Sequence, residues 1–453
     1  MKQDAIEVVG ASWVIPMTES PEEQDLQPTI IENGAVAMRD GKIVEVGDYA
    51  SIIEQHSLEQ TASSHTFFDD QILLPGLINC HGHMAMSLLR GYADDLNLQN
   101  WLEDHIWPAE ARLVSETFVY DGAQLAIAEM LLTGTTTASD MYFYPESTAK
   151  AAAEAGIRCN IFFPILEFPS AWGGGPQEYL EKGLALRDTY KQSTAISIGL
   201  GPHAPYTVSN ASFEKAVMYS EELDAPIQTH LHETAREIED SIKEHGCRPI
   251  ERLQQLGALG ANTQLVHMTQ TSEQDLAILK TQGCSVIHCP HSNLKLASGF
   301  PPVSALQRAN IALGFGTDGA ASNNSLDLFE TLRISALVGK HLDEDAASNS
   351  SYRALYQATK GGAIAAGLEN LTGSLDIGKQ ADLITVNTRN IGMQPLHNPV
   401  SQLVHTAAGK AVSNVWVSGK QLVSEGELIH QDAQELVEKA QRWQRTISEA
   451  DGD

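Results

Sequence analysis

Between residues 74 and 385 the sequence repeats one pattern: a short apolar run of β-type residues, a polar or Gly/Pro break, then a longer segment with helical spacing. The runs lie at Ile72–Asn79, Thr135–Asp140, Arg158–Ile165, Ala195–Pro202, Pro226–His230, Thr263–His267, Ser285–His288 and Ile311–Thr317. Strands that alternate with helices pair in parallel, and eight such units in a span near or above the ~250 residues typical of the fold predict a (β/α)8 TIM barrel. Before the barrel, Ala35–Met38 and Lys42–Val46 flank an Asp40-Gly41 turn, a hairpin signal. After it, Ala381–Val386 and Val415–Lys420 return to β patterning, ahead of a polar helical end from about Gln431. The expected organisation is a small β-sandwich domain built from both chain ends, 1–73 and 386–453 with a C-terminal helix, around a barrel spanning 74–385.

The balance of 29 Lys+Arg against 58 Asp+Glu leaves a net charge of −29. Phosphate backbones and anionic lipid repel such a chain, so no nucleic acid and no membrane are expected among its partners. The expected partners are a small molecule and further copies of the chain, as a homodimer or higher homo-oligomer. The odd, scattered set Cys80, Cys159, Cys247, Cys284 and Cys289 reads as reduced thiols rather than a disulfide framework. No run reaches the ~18 apolar residues of a membrane span, and the N-terminus lacks a signal-peptide pattern, so a cytoplasmic location is expected.

Chemistry-bearing residues gather where the runs end, which is where barrel active sites are built. His81-Gly82-His83 follows the first run. Two histidines at i and i+2 on extended chain point to one side and can reach one metal ion at about 2.0–2.1 Å. The fifth run ends in Thr229-His230-Leu231-His232-Glu233, the sixth at His267, the seventh in His288-Cys289-Pro290-His291 and the eighth in Gly316-Thr317-Asp318-Gly319. Core histidines kept only for packing would show no such preference for strand ends. His232 and His291 remain open between supporting and packing roles.

The chain resembles the amidohydrolase superfamily in its branch of 5-methylthioadenosine and S-adenosylhomocysteine deaminases. The motifs that carry the resemblance run from Pro75-Gly76-Leu77-Ile78-Asn79-Cys80-His81-Gly82-His83 through Gly201-Pro202-His203-Ala204-Pro205-Tyr206 and Ser292-Asn293-Leu294-Lys295-Leu296 to Gly316-Thr317-Asp318-Gly319-Ala320-Ala321-Ser322-Asn323-Asn324. The resemblance implies metal ligands His81, His83, His230 and Asp318 around one divalent ion, zinc being the expected metal. Three imidazoles and a carboxylate leave room for a water whose pKa falls toward ~7. By the same resemblance Glu233 shuttles a proton to the heterocycle, His267 orients the attacking water, and Asp318 takes its proton. Glu110 and His203 would contact the nucleoside.

The fourth run, Ser197-Ile198-Gly199-Leu200-Gly201-Pro202, offers no lysine or glutamate to bridge a second metal. The loop after the third run, Glu167 to Pro176, carries Phe168 and Trp172 but no arginine, which suits a methylthio group better than an amino-acid zwitterion. The implied reaction is hydrolytic deamination of 5'-methylthioadenosine, with S-adenosylhomocysteine and adenosine as secondary substrates. The same metal and Glu233 would also serve an aminohydrolase or chlorohydrolase acting on guanine, an oxidised purine, a pterin or an s-triazine. A non-catalytic relative would have lost ligands that are all present here.

Overall fold

The computed structural model describes residues 6–21, 27–58 and 64–452. Eight parallel strands follow one another around a barrel in chain order: Leu77–Asn79, Thr135–Asp140, Arg158–Ile165, Ile196–Pro202, Ile227–Leu231, Thr263–His267, Ser285–His288 and Leu313–Phe315. The Cys80 N–H donates to Phe315 O at 2.8 Å and so carries strand one onto strand eight. Every residue of strands two, three, five and six is buried, as expected where helices cover a parallel sheet. Glycines in the left-handed region close the helices that return to strands three and seven: Gly156 at φ 84° and Gly283 at φ 76°.

The strands match the expected runs, with one instructive difference. Ile72–Asn79 is not a single strand: His65–Pro75 belongs to the terminal sheet and only Leu77–Asn79 to the barrel. The partners change at consecutive residues, since the Gly76 N–H donates to Asp382 O and the Leu77 N–H to Gly134 O. Gly76 is required there, because a Cβ would stand 2.1 Å from the Thr136 hydroxyl.

Both chain ends build a separate mixed sheet of eight strands, to which Glu7–Val14, Ile31–Arg39, Lys42–Asp48 and His65–Pro75 contribute from the N-terminal side. Leu383–Asn387, Val412–Val417, Lys420–Ser424 and Glu427–Leu428 complete it. The Asp40-Gly41 turn forms as read, both residues having positive φ as a type I′ hairpin needs. Val9, Val36, Ile43 and Leu73 share one apolar core with Leu383 and Trp416.

The chain divides into two compact units, the terminal sheet with segments 129–137 and 327–431, and the remainder of the barrel with the C-terminal helix Ala433–Gly452. Within the barrel unit, Trp443 packs edge-on against Phe118, its centroid 5.2 Å away, and its indole N–H donates to Asp121. No helix among the described residues is long and apolar enough to cross a membrane.

Candidate active site

The candidate metal-ligating, catalytic and nucleoside-contacting residues converge at the C-terminal mouth of the barrel. His81 and His83 follow strand one, His203 follows strand four, His230 lies in strand five with Glu233 just beyond it, His267 ends strand six, and Asp318 follows strand eight. Glu110 comes from helix Trp107–Leu113 in the segment after strand one. Seven of these, His83, Glu110, His203, His230, Glu233, His267 and Asp318, line one cavity of about 390 Å³. His81 lies fully buried beside it, and a donor atom from each of His81, His83 and His230 falls within 4.8 Å of the others.

The hydrogen bonds behind these rings settle which nitrogen faces the centre. His83 Nδ1–H donates to Met141 O at 2.6 Å and His230 Nδ1–H to His203 O at 2.8 Å. A carbonyl only accepts, so both rings carry their proton on Nδ1. Gln228 uses its Nε2 to donate to Cys80 O and Gln264 Oε1, which leaves its Oε1 to accept from His81 Nδ1 at 2.6 Å. Three Nε2 lone pairs therefore converge, and that of His81 is a buried atom without a hydrogen-bond partner.

Asp318 Oδ1 lies 3.5 Å from His81 Nε2 and 3.2 Å from His83 Nε2. Two ligands about 2.05 Å from one ion at tetrahedral angles stand about 3.3 Å apart, so the spacing fits a zinc-like centre. Burial opposes charge here, yet contact with the His81 and His83 imidazoles holds Asp318 well below the usual carboxylate range. Burial also works against a charged His83, and the Asp318 carboxylate still lifts it to about 9. The pocket thus stabilises a positive charge between them, and a metal ion supplies one without the proton.

The other groups are poised differently. Burial, reinforced by the charges of Asp318 and Glu237, pushes Glu233 well above its ordinary value, so it can carry a proton at neutral pH. His267 is lowered to about 4, first by burial; its Nε2 is 3.6 Å from Glu233 Oε2 and its Nδ1 is 3.0 Å from Asn293 Nδ2. His203 is lowered to about 3 by burial and the neighbouring histidines. Its Nδ1 donates to Thr207 Oγ1, because that hydroxyl gives its own proton to Ala204 O.

Four non-glycine residues at the ends of strands five, six and eight adopt left-handed backbone: His232 at φ 54°, His267 at φ 80°, Met268 at φ 52° and Asp318 at φ 61°. Each costs on the order of 1 kcal/mol and is held by the surrounding packing. Asp318 also depends on Gly316, where a Cβ would come within 2.9 Å of both Cys289 Sγ and His81.

Some residues lie elsewhere than their sequence positions imply. Trp172 does not line the cavity: it is buried, stacked on Tyr179 with centroids 5.6 Å apart, and its indole N–H donates to Glu146. Trp107 takes its place beside Phe168, with ring centroids 6.3 Å apart. His232 turns away from the centre, accepting from the Ile250 N–H on Nε2 and facing Asp275, so its role is structural support. Arg158 is buried at the start of strand three, donating to Thr194 O. Sequence reading also missed Tyr142, Gln228 and Asn293. For Gln228 there was a signal, an amide one residue into a strand-five run that leads to His230 and is buried throughout.

Comparison with known proteins agrees with this geometry. Residues 72–422 match the amidohydrolase family. A 5-methylthioadenosine/S-adenosylhomocysteine deaminase from Saccharophagus degradans is 50% identical over 442 residues, 97% of this chain and 96% of that protein. A 5'-deoxyadenosine deaminase from Methanobrevibacter smithii is 37% identical over 92% of this chain and 94% of its own length. The crystal structure of a zinc-bound adenosine deaminase from Xanthomonas campestris superposes with a TM-score of 0.93 at 41% identity, covering 98% of this chain and 99% of that one. The chain belongs to the amidohydrolase family and stands within it beside the 5-methylthioadenosine/S-adenosylhomocysteine deaminases.

Proposed function

We propose that the protein hydrolyses 5'-methylthioadenosine to 5'-methylthioinosine and ammonia, using one divalent ion, zinc in our reading. The observation that carries the substrate class is the composition of the cavity. It combines Glu233, His267 and Asp318 with an apolar lining that includes Trp107, Phe168 and Leu166, and no lysine or arginine is among its described lining residues. About 390 Å³ lies within the ordinary range of small-molecule sites, about 300–1,000 Å³.

His81, His83, His230 and Asp318 would hold the ion, which when bound supplies an acidified water close to neutral pH. The protein's own groups do the rest. Glu233, protonated through its burial, gives its proton to a ring nitrogen of the purine and makes the aminated carbon more electrophilic. Asp318 accepts a proton from the attacking water while His267, fixed by Asn293, orients it. A new C–O bond forms, the C–N bond breaks, the proton that Asp318 took from water leaves on ammonia, and the remaining hydroxyl proton returns to Glu233 as the carbonyl of the product forms. Glu110, held by the Tyr142 hydroxyl at 2.6 Å, accepts from the ribose hydroxyls, and neutral His203 offers a lone pair to the nucleoside.

An amino-acid tail would bring its carboxylate into a cavity with no lysine or arginine among its lining residues to pair with it, whereas a methylthio group meets the Trp107–Phe168 wall. The test is ammonia release by the zinc-supplemented protein with 5'-methylthioadenosine, adenosine, S-adenosylhomocysteine and guanine in parallel. The expected result is the highest kcat/KM for 5'-methylthioadenosine, at least about tenfold above S-adenosylhomocysteine, the scale of one unpaired charge. Equal values for the two refute the specificity argument, and turnover of guanine alone refutes the nucleoside reading.

A further inference from the structure

Glu233 sits on a turn that its own neighbours do not stabilise. It follows His232, whose φ of 54° is unfavourable for a side chain other than glycine, and it precedes Thr234, the N-cap of helix Ala235–His245. At the third position of that helix, Glu237 folds back on the turn. One carboxylate oxygen accepts from the His232 N–H at 2.9 Å and the other from the Glu233 N–H at 2.7 Å. From the opposite side Thr269 Oγ1 donates to Glu233 O at 2.7 Å. The His232–Glu233 dipeptide is gripped at both N–H groups by one carboxylate and at a carbonyl by one hydroxyl, all of it buried.

Glu237 is itself anchored from behind. Its backbone N–H donates to Thr234 Oγ1, which starts the helix at this point. Arg248 acts on it through its charge, and that guanidinium is committed to a two-point pair with Asp275 at 3.0 and 2.7 Å and to Gln270 O at 2.6 Å. The Glu237 carboxylate is thus left to backbone N–H groups of the turn, those of His232 and Glu233 together with that of Thr234 at the helix N-cap. It does not line the cavity that holds Asp318 and His267, so its influence on the reaction passes through the residue it holds.

We infer that Glu237, with Thr269 opposing it, is the positioning residue that aims the Glu233 carboxyl at the purine, by clamping the strained His232–Glu233 backbone between a two-oxygen acceptor and a hydroxyl donor. A side chain carrying a proton to a ring nitrogen must be held to within a few tenths of an ångström, and a carboxyl on a left-handed turn has no intrinsic reason to stay there. Glutamine at 237 keeps the shape but replaces one acceptor oxygen by an NH2 that meets an N–H head-on. The inference rests on Glu233 being the proton shuttle.

The experiment is a double-mutant cycle on the zinc-loaded enzyme with 5'-methylthioadenosine, reading kcat and KM separately, with metal content measured on each variant. Glu237→Gln is expected to lower kcat about tenfold or more at unchanged metal content, with KM within about threefold, the scale of a hydrogen bond to a charged group. In a Glu233→Gln background the same change is expected to cost less than about twofold, because the group it aims is already disabled. An equal fold-loss in both backgrounds, or wild-type kcat for Glu237→Gln, overturns the inference. Should Glu237→Gln fail to fold, Thr269→Val, with Thr269→Ser as the variant that restores the donor, is judged by the same cycle. Full activity of Glu233→Gln alone would instead refute the shuttle assignment, and the inference with it.

Discussion

Replacing Tyr142 by phenylalanine isolates one hydrogen bond in the nucleoside site. The Tyr142 hydroxyl donates to Glu110 Oε1 at 2.6 Å. Burial pushes the Glu110 carboxyl up to about 7, working against that hydrogen bond and the positive charge at His83. A hydrogen bond to a charged acceptor contributes about 1.5–3 kcal/mol, and ~1.4 kcal/mol corresponds to one pKa unit, so its loss lifts Glu110 by about one to two units. The ionised form is the one that accepts from both ribose hydroxyls, so affinity is gained as pH rises through the Glu110 pKa. At pH 7 the ionised share falls from about one half to about one tenth or less, and KM rises about fivefold or more. Near pH 9.5 the variant returns to within about twofold of wild type, and kcat is expected to be unchanged because the proposed reaction uses Glu110 to hold the ribose and not to move a proton. The assay is KM for adenosine between pH 6 and 9.5, followed by the ultraviolet change to inosine. A 2',3'-dideoxynucleoside, which has no hydroxyls to offer Glu110, serves as the control and should show a KM flat with pH in both proteins. A KM raised equally at every pH, or curves for the two proteins that coincide, refutes the reasoning.

Three further outcomes are expected. Glu233→Gln should bind metal as wild type while kcat falls a hundredfold or more, the scale of lost general acid–base catalysis, and full activity would remove Glu233 from the mechanism. Gly316→Ala forces a methyl to 2.9 Å from Cys289 Sγ and His81, so metal content and thermal stability should fall together, by about 1–3 kcal/mol for the latter; normal values of both would show that strand eight can shift freely. Removing the metal with a chelator should abolish turnover and lower Tm, since the three imidazoles and the Asp318 carboxylate then lose the ion that would link them; zinc should restore both, and activity that survives chelation excludes a metal-dependent reaction.

Most of the barrel and the candidate metal-ligating residues are legible in the chain because both depend on local order. The fully buried run Arg158–Ile165 announces a parallel strand, and His81, His83, His230 and Asp318 are recognisable because each stands at the edge of such a run. A strand that delivers its last residue to the mouth of a barrel does so whatever its neighbours contribute. The same logic fails where a residue's surroundings come from distant segments. Trp172 and Trp107 are equally plausible wall residues in sequence, and packing alone turns one onto Tyr179 and the other into the cavity.

The break at Gly76, the tautomer-setting amide of Gln228, the Tyr142 hydroxyl on Glu110 and the Glu237 grip on the turn before the helix were likewise decided in three dimensions. The sequence by itself determined which groups of this protein could bind a metal and move a proton, because that is a property of side-chain type and strand position. Only the tertiary structure determined how those groups are protonated and aimed, because that depends on buried hydrogen bonds between residues as far apart as His81 and Gln228, 147 positions along the chain.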